Sequence, residues 1–325
     1  MQPKKIHDIM RIDKEYYMRT LVGYTGFVGS NLVLPNRFDN CFNSKNIKDS
    51  YSLKPDILYY AGVPAQKYIA NKDPERDISV IEDAMNNIEK IKPKSVVLIS
   101  TVDVYKNPNG VDENTQIDLT ELEPYGKHRY VLEQYIKNNY KDFTIIRLPG
   151  LYGKNIKKNF IYDMINFLPS MISASKIADL NFNLLRFYYL PLDNGFYQLR
   201  EINKEERKIL VKYFKDVGFS ALSFTDSRSV FQFYNLKNLY EQIETTRSFG
   251  IRLLNVATEP CKASELYNFI YNAEFHNETT SQPYLYDMRT IHANTLGGMN
   301  GYIENRLQTM NEIKDFVLVM QKRLE

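Results

Sequence analysis

The stretch MRTLVGYTGFVGSNLVL, residues 18–34, places three glycines between two apolar runs. A buried strand, a tight turn and the start of a helix are predicted in this order. Gly23 permits the turn, Gly26 lets the backbone approach a pyrophosphate, and Gly29 lets helix and strand pack closely. The chain has only 14 glycines in 325 residues, so three within seven positions are informative. The stretch predicts an anion-binding turn, with a turn of purely structural role as the alternative.

Strand-like and helix-like segments continue to alternate after this turn. DILYYAG (56–62) and SVVLIS (95–100) are apolar runs typical of buried parallel strands. DISVIEDAMNNIEKI (77–91) has the three- and four-residue spacing of an amphipathic helix. Residues 125–140 are predicted as helix and FTIIRL (143–148) as strand. The alternation predicts an α/β fold with a Rossmann-like, doubly wound parallel sheet.

The alternation breaks after Leu148 and divides the chain into regions. Residues 1–17 are polar and are interpreted as an N-terminal extension. Residues 18–158 are predicted to form the nucleotide-binding domain, completed by a strand that returns near 251–257. Residues 159–325 are predicted to be mainly a smaller substrate-binding region.

The composition excludes several classes of protein. The chain carries 42 basic and 39 acidic residues, a net charge of +3 that is too small for a strongly cationic nucleic-acid binder. No run approaches the roughly 18 apolar residues of a membrane-spanning helix, so neither nucleic acid nor membrane is predicted as a partner. The two cysteines, Cys41 and Cys261, exclude a disulfide framework and favour a cytoplasmic setting. The four histidines are scattered without metal-ligand spacing, and no metal site is predicted.

Five segments, in this order, resemble the extended short-chain dehydrogenase/reductase superfamily of NAD(P)-dependent epimerase/dehydratase type. They are GYTGFVG (23–29), DILYYAG (56–62), LISTVDVY (98–105), EPYGKHR (123–129) and RLPGLYG (147–153). The resemblance implies NAD or NADP as cofactor and a small-molecule sugar, mainly a nucleotide sugar, as substrate. It implies hydride transfer coupled to acid/base catalysis by a tyrosine.

The resemblance assigns catalytic roles to four residues. Tyr125 would exchange a proton with a sugar hydroxyl, and a phenol with a pKa near ~10 needs nearby cations to do so at neutral pH. Arg129 stands where the family has a lysine, although a guanidinium is not equivalent to an ammonium. Thr101 matches the hydroxyl residue that polarises the reacting oxygen. Val102 and Asp103 stand where 4,6-dehydratases carry an Asp-Glu pair, which disfavours that reaction and leaves Asp103 either a base or a solvated carboxylate.

The resemblance also implies binding residues. The cofactor contacts are expected at Gly23, Thr25, Gly26, Phe27, Val28, Gly29, Ser44, Lys45, Ala61, Gly62, Tyr125, Arg129 and Pro149. Lys45 weakly favours the 2′-phosphate of NADP, and an ordinary solvated lysine is at least as good an interpretation. Arg228 and Gln232 are the candidates for substrate binding, because Phe231 stands where an arginine for the diphosphate is expected.

Two further expectations follow from the resemblance. A homodimer is implied through the tyrosine-bearing helix and its neighbour, with burial against the chain's own sheet as the alternative role of their apolar residues. These residues are Ile81, Met85, Ile88, Val131 and Tyr135. Arg129, Gly150 and Phe231 depart from the family pattern. They support an alternative function, a catalytically impaired NAD(P)-binding protein with a regulatory or interaction role.

Overall fold

The computed structural model describes residues 17–323. The predicted N-terminal extension, residues 1–17, lies outside this range apart from Tyr17. The strands are β1 (Arg19–Val22), β2 (Asn40–Phe42), β3 (Ile57–Tyr60), β4 (Ser95–Thr101), β5 (Asn109–Val111), β6 (Asp142–Leu148), β7 (Gly150–Tyr152), β8 (Met171–Ser173), β9 (Tyr189–Pro191), β10 (Phe196–Leu199), β11 (Val230–Phe231), β12 (Phe233–Asn235), β13 (Leu253–Asn255), β14 (Cys261–Lys262) and β15 (Asp287–Met288). The helices are α1 (Phe27–Leu32), α2 (Lys67–Lys72), α3 (Pro74–Ile91), α4 (Pro124–Asn139), α5 (Phe160–Ile165), α6 (Ala174–Asp179), α7 (Phe182–Leu185), α8 (Lys204–Asp216), α9 (Leu239–Ser248), α10 (Ala263–Tyr271) and α11 (Arg306–Lys322).

Within residues 17–323, six parallel strands form the central sheet in the order β13-β6-β4-β3-β1-β2. The chain runs from β1 outward to β2 and then crosses to β3 on the other side of β1. The glycine turn after β1 therefore lies at the topological switch point, where open α/β sheets bind ligands. The predicted doubly wound α/β fold is confirmed, and β13 is the strand that returns to the sheet.

Helices cover both faces of the sheet, so its strands are apolar on both sides. Helix α3 begins at Pro74 after Asp73, whose side chain accepts a hydrogen bond from the Arg76 backbone N–H. Its buried stripe packs on one face of the sheet and includes Ile81 and Ile88, both fully buried. These two residues are therefore buried against the chain's own sheet. That was one of the two roles considered for them, the other being a dimer interface.

The region after β6 adds smaller layers to the sheet. Strands β8, β10 and β9 form an antiparallel sheet, and helices α6 and α8 pack against it around a separate apolar core. Strand β7 pairs with β12, and β5 pairs with β15, in two further two-stranded sheets that join the later part of the chain to the earlier part. No helix of residues 17–323 is long and apolar enough to cross a membrane.

Candidate active site

The glycine turn leaves no room for side chains at two of its positions. Gly23 has a φ of +92°, and a Cβ there would lie 2.3 Å from the carbonyl oxygen of Ala61. A Cβ on Gly29 would lie 2.1 Å from the carbonyl oxygen of Gly23, so α1 rests directly on the turn. Thr25 and Gly26 are exposed at its outer edge. The turn therefore offers backbone to a ligand at close range, as a pyrophosphate requires.

The remaining predicted cofactor contacts surround this turn. Phe27 and Val28 begin α1 with half-buried side chains packed on the apolar core. The others follow the carboxyl ends of β2, β3 and β6 at the same edge of the sheet: Ser44 and Lys45 are exposed, Gly62 is exposed beside half-buried Ala61, and Pro149 is buried. These groups, at the carboxyl ends of neighbouring parallel strands, fit a dinucleotide.

Tyr125 is placed by the close approach of α4 to the end of β4. A short 3₁₀ turn, Val102–Val104, follows β4, and a Cβ on Gly126 would lie 1.9 Å from the carbonyl oxygen of Asp103. The backbone N–H of Tyr125 donates to Asn71 Oδ1 at 2.9 Å, which ties α4 to α2. The Tyr125 side chain is 7% exposed.

Thr101, Asp103 and Lys67 form a hydrogen-bonded chain beside Tyr125. The Thr101 hydroxyl donates to Asp103 Oδ2 at 3.2 Å, and the Asp103 backbone N–H donates back to Thr101 Oγ1 at 3.2 Å. Lys67 Nζ lies 2.6 Å from Asp103 Oδ1. The sequence analysis predicted Thr101, Asp103 and Tyr125 together and missed Lys67. No motif joins Lys67 to them; only the position of α2 beside α4 does.

Arg129 is buried and its guanidinium is engaged within the protein. Nη1 donates to Asp77 Oδ2 at 2.5 Å and to the Tyr125 carbonyl oxygen at 3.2 Å, and Nη2 donates to the Pro64 carbonyl oxygen at 2.8 Å. His128 Nδ1 lies 2.8 Å from the same Asp77 oxygen. Asp77 on α3 therefore holds the Arg129 side chain, and the contact of Arg129 with a cofactor stays a prediction.

The groups around Tyr125 act on its pKa in opposite directions. Burial raises the pKa of the phenol, Arg129 lowers it, Asp103 raises it, and Lys67 and a hydrogen-bonding contact with Thr101 lower it. The net direction is upward because desolvation disfavours the phenolate. The phenol therefore keeps its proton at neutral pH and is available as a proton donor.

A cavity of about 440 Å³ lies beside Lys67 and Asp103. Its walls come from α2, the end of β4, the start of α4 and the segment before β15, and they include Lys67, Asp103, Tyr105, Gly126, Tyr284 and Tyr286. A small polar ligand in this cavity would meet the Lys67–Asp103 pair from one side and tyrosine rings from the other.

The two predicted substrate-binding residues are engaged elsewhere. Arg228 binds Asp226 through Nε at 3.0 Å and Nη2 at 2.9 Å, and its Nη1 lies 2.8 Å from Glu278 Oε2. The Gln232 amide donates to two carbonyl oxygens, of Thr258 at 2.6 Å and of Met288 at 2.7 Å. Arg228 thus joins the segment before β11 to the segment after α10, and Gln232 contacts the segment after β13 and strand β15. Their contact with substrate stays a prediction.

The parallel sheet, the glycine turn at its switch point and the neighbouring Thr101 and Tyr125 agree with the resemblance described in the sequence analysis. Residues 41–184 match the model of the NAD dependent epimerase/dehydratase family. The resemblance predicted from the sequence is confirmed over the part of the chain that this model covers. None of the curated protein sequences compared with the chain matches it.

Solved structures of low sequence identity share the fold. A dTDP-4-dehydrorhamnose reductase from Bacillus anthracis in complex with NADP is 16% identical, with a TM-score of 0.60 over 94% of this chain and 99% of the other. A UDP-glucose 4-epimerase from Thermotoga maritima with UDP-glucose is 16% identical, with a TM-score of 0.59 over 95% of this chain and 100% of the other. RMD from Pseudomonas aeruginosa complexed with NADPH is 14% identical, with a TM-score of 0.62 over 94% of this chain and 98% of the other.

Proposed function

We propose that the protein is an NAD(P)-dependent oxidoreductase or epimerase that acts on a sugar, most simply a nucleotide sugar. The observation that carries the proposal is the grouping of Tyr125 and Thr101 around Asp103, which lines a cavity at the sheet edge that also bears the glycine turn. The family match supports the reaction class. Similar structures described as nucleotide-sugar reductases and epimerases support the substrate class.

The cofactor would lie across the carboxyl edge of the sheet. Backbone groups of Thr25 and Gly26 would hold the pyrophosphate, and Ser44 and Lys45 would face the adenosine ribose. Bound there, NAD or NADP supplies the hydride acceptor or donor for a sugar carbon. An exposed lysine after β2 is compatible with the 2′-phosphate of NADP.

The side chains at the site suit the reductive direction. Since burial keeps the Tyr125 phenol protonated, it can donate its proton to a carbonyl oxygen while a hydride adds to the carbonyl carbon, and an alcohol results. The Thr101 hydroxyl would leave its 3.2 Å contact with Asp103 to hydrogen-bond the same oxygen. In the reverse direction Tyr125 would take the proton from the alcohol.

A 4,6-dehydratase remains disfavoured. Val102 is 5% exposed and packs in an apolar cluster, so no carboxyl group stands where elimination would need the first acid. Asp103, which stands where a 4,6-dehydratase has the glutamate of its Asp-Glu pair, forms an ion pair with Lys67.

The second candidate is a catalytically impaired NAD(P)-binding protein of the same fold. It is favoured by one observation, the engagement of the Arg129 guanidinium with Asp77 at 2.5 Å. In this case the chain would bind a dinucleotide and turn over no sugar.

The first prediction concerns Tyr125→Phe, which removes the proton donor and keeps the ring. Turnover of the substrate found by screening UDP-, GDP- and dTDP-sugars should fall by roughly 10²- to 10⁴-fold. Cofactor affinity, measured by the fluorescence of the reduced nicotinamide, separates a loss of proton transfer from a loss of cofactor binding, because Tyr125 is also a predicted cofactor contact. Tyr135→Phe, which removes a half-buried phenol further along α4, is the matched control and should retain activity.

Two outcomes would contradict the proposal. Full turnover by Tyr125→Phe would remove Tyr125 as the proton donor. Tight dinucleotide binding without turnover of any sugar would favour the impaired protein, and failure to bind either dinucleotide would remove both candidates.

The implied homodimer and cytoplasmic setting stay predictions. Light scattering after size-exclusion chromatography measures the oligomeric state directly.

A further inference from the structure

The Lys67 side chain lines the same cavity as Asp103 and Gly126, the residue that follows Tyr125. Its Nζ is 2.6 Å from one carboxylate oxygen of Asp103, and the other oxygen accepts the Thr101 hydroxyl at 3.2 Å. The Lys67 side chain is 49% exposed and also lines the cavity, so it contacts both solvent and any ligand that enters. Asp103 thereby connects a cation on α2 to the hydroxyl that borders Tyr125.

Helix α2 is held in register with Tyr125 by a second contact. Asn71 lies four residues after Lys67, and its side chain accepts the hydrogen bond from the Tyr125 backbone N–H at 2.9 Å. Residues four apart share one face of a helix. The face of α2 that carries Lys67 is therefore the face turned toward the start of α4.

Arg129 contacts a different part of Tyr125. Its guanidinium carbon lies 3.9 Å from the centre of the Tyr125 ring, against the face of the ring. Its donors are used by Asp77 and by the carbonyl oxygens of Pro64 and Tyr125. Because the guanidinium is hydrogen-bonded to three partners, it is fixed over the ring, whereas the Lys67 ammonium has a flexible stem and an open side.

We propose that Lys67 is a positioning residue that supplies the positive charge beside the Tyr125 hydroxyl, and that Asp103 holds it there. The purpose of this arrangement, proton transfer at Tyr125, rests on the proposed function. A cation near a phenol favours the phenolate, and a carboxylate opposes it. The charged or titratable groups that act on Tyr125, Lys67 and Asp103 are Arg129 from α4, Asp103 from the 3₁₀ turn, Lys67 from α2, Lys158 before α5 and Tyr286 before β15.

The test measures the ionisation of Tyr125 itself in the full chain. A ring-difluorinated tyrosine at position 125 gives one fluorine NMR signal among 25 tyrosines and titrates at lower pH than tyrosine. Lys67→Gln should raise the pKa of this phenol by about one unit, and Lys67→Arg, which keeps the charge, should leave it near the wild-type value. Lys127→Gln is the matched control, because Lys127 is exposed two residues from Tyr125.

A double-mutant cycle tests the part assigned to Asp103. The effect of Lys67→Gln should be smaller in an Asp103→Asn background, since Lys67 then lacks the group that holds it. Equal effects in both backgrounds would overturn the role of Asp103.

Other outcomes bear on Lys67 alone. A pKa shift in Lys67→Gln no larger than in Lys127→Gln would overturn the proposal, as would a shift in Lys67→Arg equal to that in Lys67→Gln. The titration uses neither cofactor nor sugar. Its failure is therefore distinct from failure of the proposed function, which shows in dinucleotide binding and turnover.

Discussion

Gly126 controls how close the tyrosine helix comes to the end of β4. The site for a Cβ at this position is occupied by the backbone oxygen of Asp103, 1.9 Å away. Neither the oxygen nor α4 can yield without movement of backbone, because both belong to elements packed in the core. Because position 126 carries a hydrogen and no methyl group, α4 approaches closely enough to place Tyr125 beside Thr101 and Asp103.

Gly126→Ala should therefore displace the start of α4 and misplace Tyr125. The expected results are a loss of roughly 1–3 kcal/mol in the free energy of unfolding and a loss of roughly 100-fold in kcat/KM. Urea unfolding and steady-state kinetics measure the two. Lys127→Ala, at the next and exposed position, should change neither by a comparable amount. Unchanged kinetics in a folded Gly126→Ala protein would mean that the close approach does not position Tyr125.

At the scale of elements, a buried ion pair fastens α4 to the sheet. Arg147 on β6 binds Glu133 on α4 through Nε at 2.9 Å and Nη2 at 2.6 Å, and both side chains are almost fully buried. Ser100 on β4 donates to the same carboxylate at 2.5 Å, and the Arg147 Nη1 donates to the Tyr105 hydroxyl at 2.7 Å. The helix that carries Tyr125 is thereby joined to two strands at once.

Glu133→Ala should be strongly destabilising, because it leaves the Arg147 charge buried without its partner. We expect a loss of roughly 3–5 kcal/mol in the free energy of unfolding, measured with urea. Replacing both residues by apolar ones, Glu133→Leu with Arg147→Met, should recover much of that loss. If Glu133→Ala unfolds like the wild type, the pair contributes little to holding α4.

At the scale of the whole molecule, stability should depend on pH through buried carboxyl groups. Glu304 is 8% exposed, and its Oε2 has no hydrogen-bond partner within the described residues. Burial, reinforced by the charge of Glu312, raises the pKa of Glu304 to about 7. Between pH 4.5, the ordinary pKa of a glutamate side chain, and about pH 7, the Glu304 carboxyl binds its proton more tightly in the folded state than in the unfolded state. Its contribution to stability therefore falls as pH rises through that window.

Glu304→Gln removes this titration. The free energy of unfolding of the variant relative to wild type should increase from pH 5 to pH 8, because only the wild type has to bury a charge at the higher pH. Urea unfolding across this pH range measures the difference. Glu205→Gln, at a position whose side chain is 78% exposed, should give a difference that stays flat. A flat difference for Glu304→Gln would show that its carboxyl is not perturbed.

The alternation of segments predicted the sheet, and the glycine spacing predicted the turn. Both predictions depend only on residues that are neighbours in the sequence. The spacing of apolar side chains indicates a strand or a helix, and the glycines indicate a tight turn. Thr101 and Tyr125 were predicted as site residues in the same way, from short motifs in a fixed order. Arg129, Arg228 and Gln232 are predicted to contact ligands, and the sequence did not predict the hydrogen bonds that their polar groups form within the protein.

By itself, the sequence determined the α/β class, the place of the glycine turn and the helix that carries Tyr125, because local periodicity and close packing leave little choice at these points. Only the tertiary structure decided which charges surround the phenol. Asp77 reaches Arg129 from 52 positions away, and Lys67 reaches Asp103 from 36. Such partners are set by how helices pack on the sheet, and no spacing in the chain encodes that.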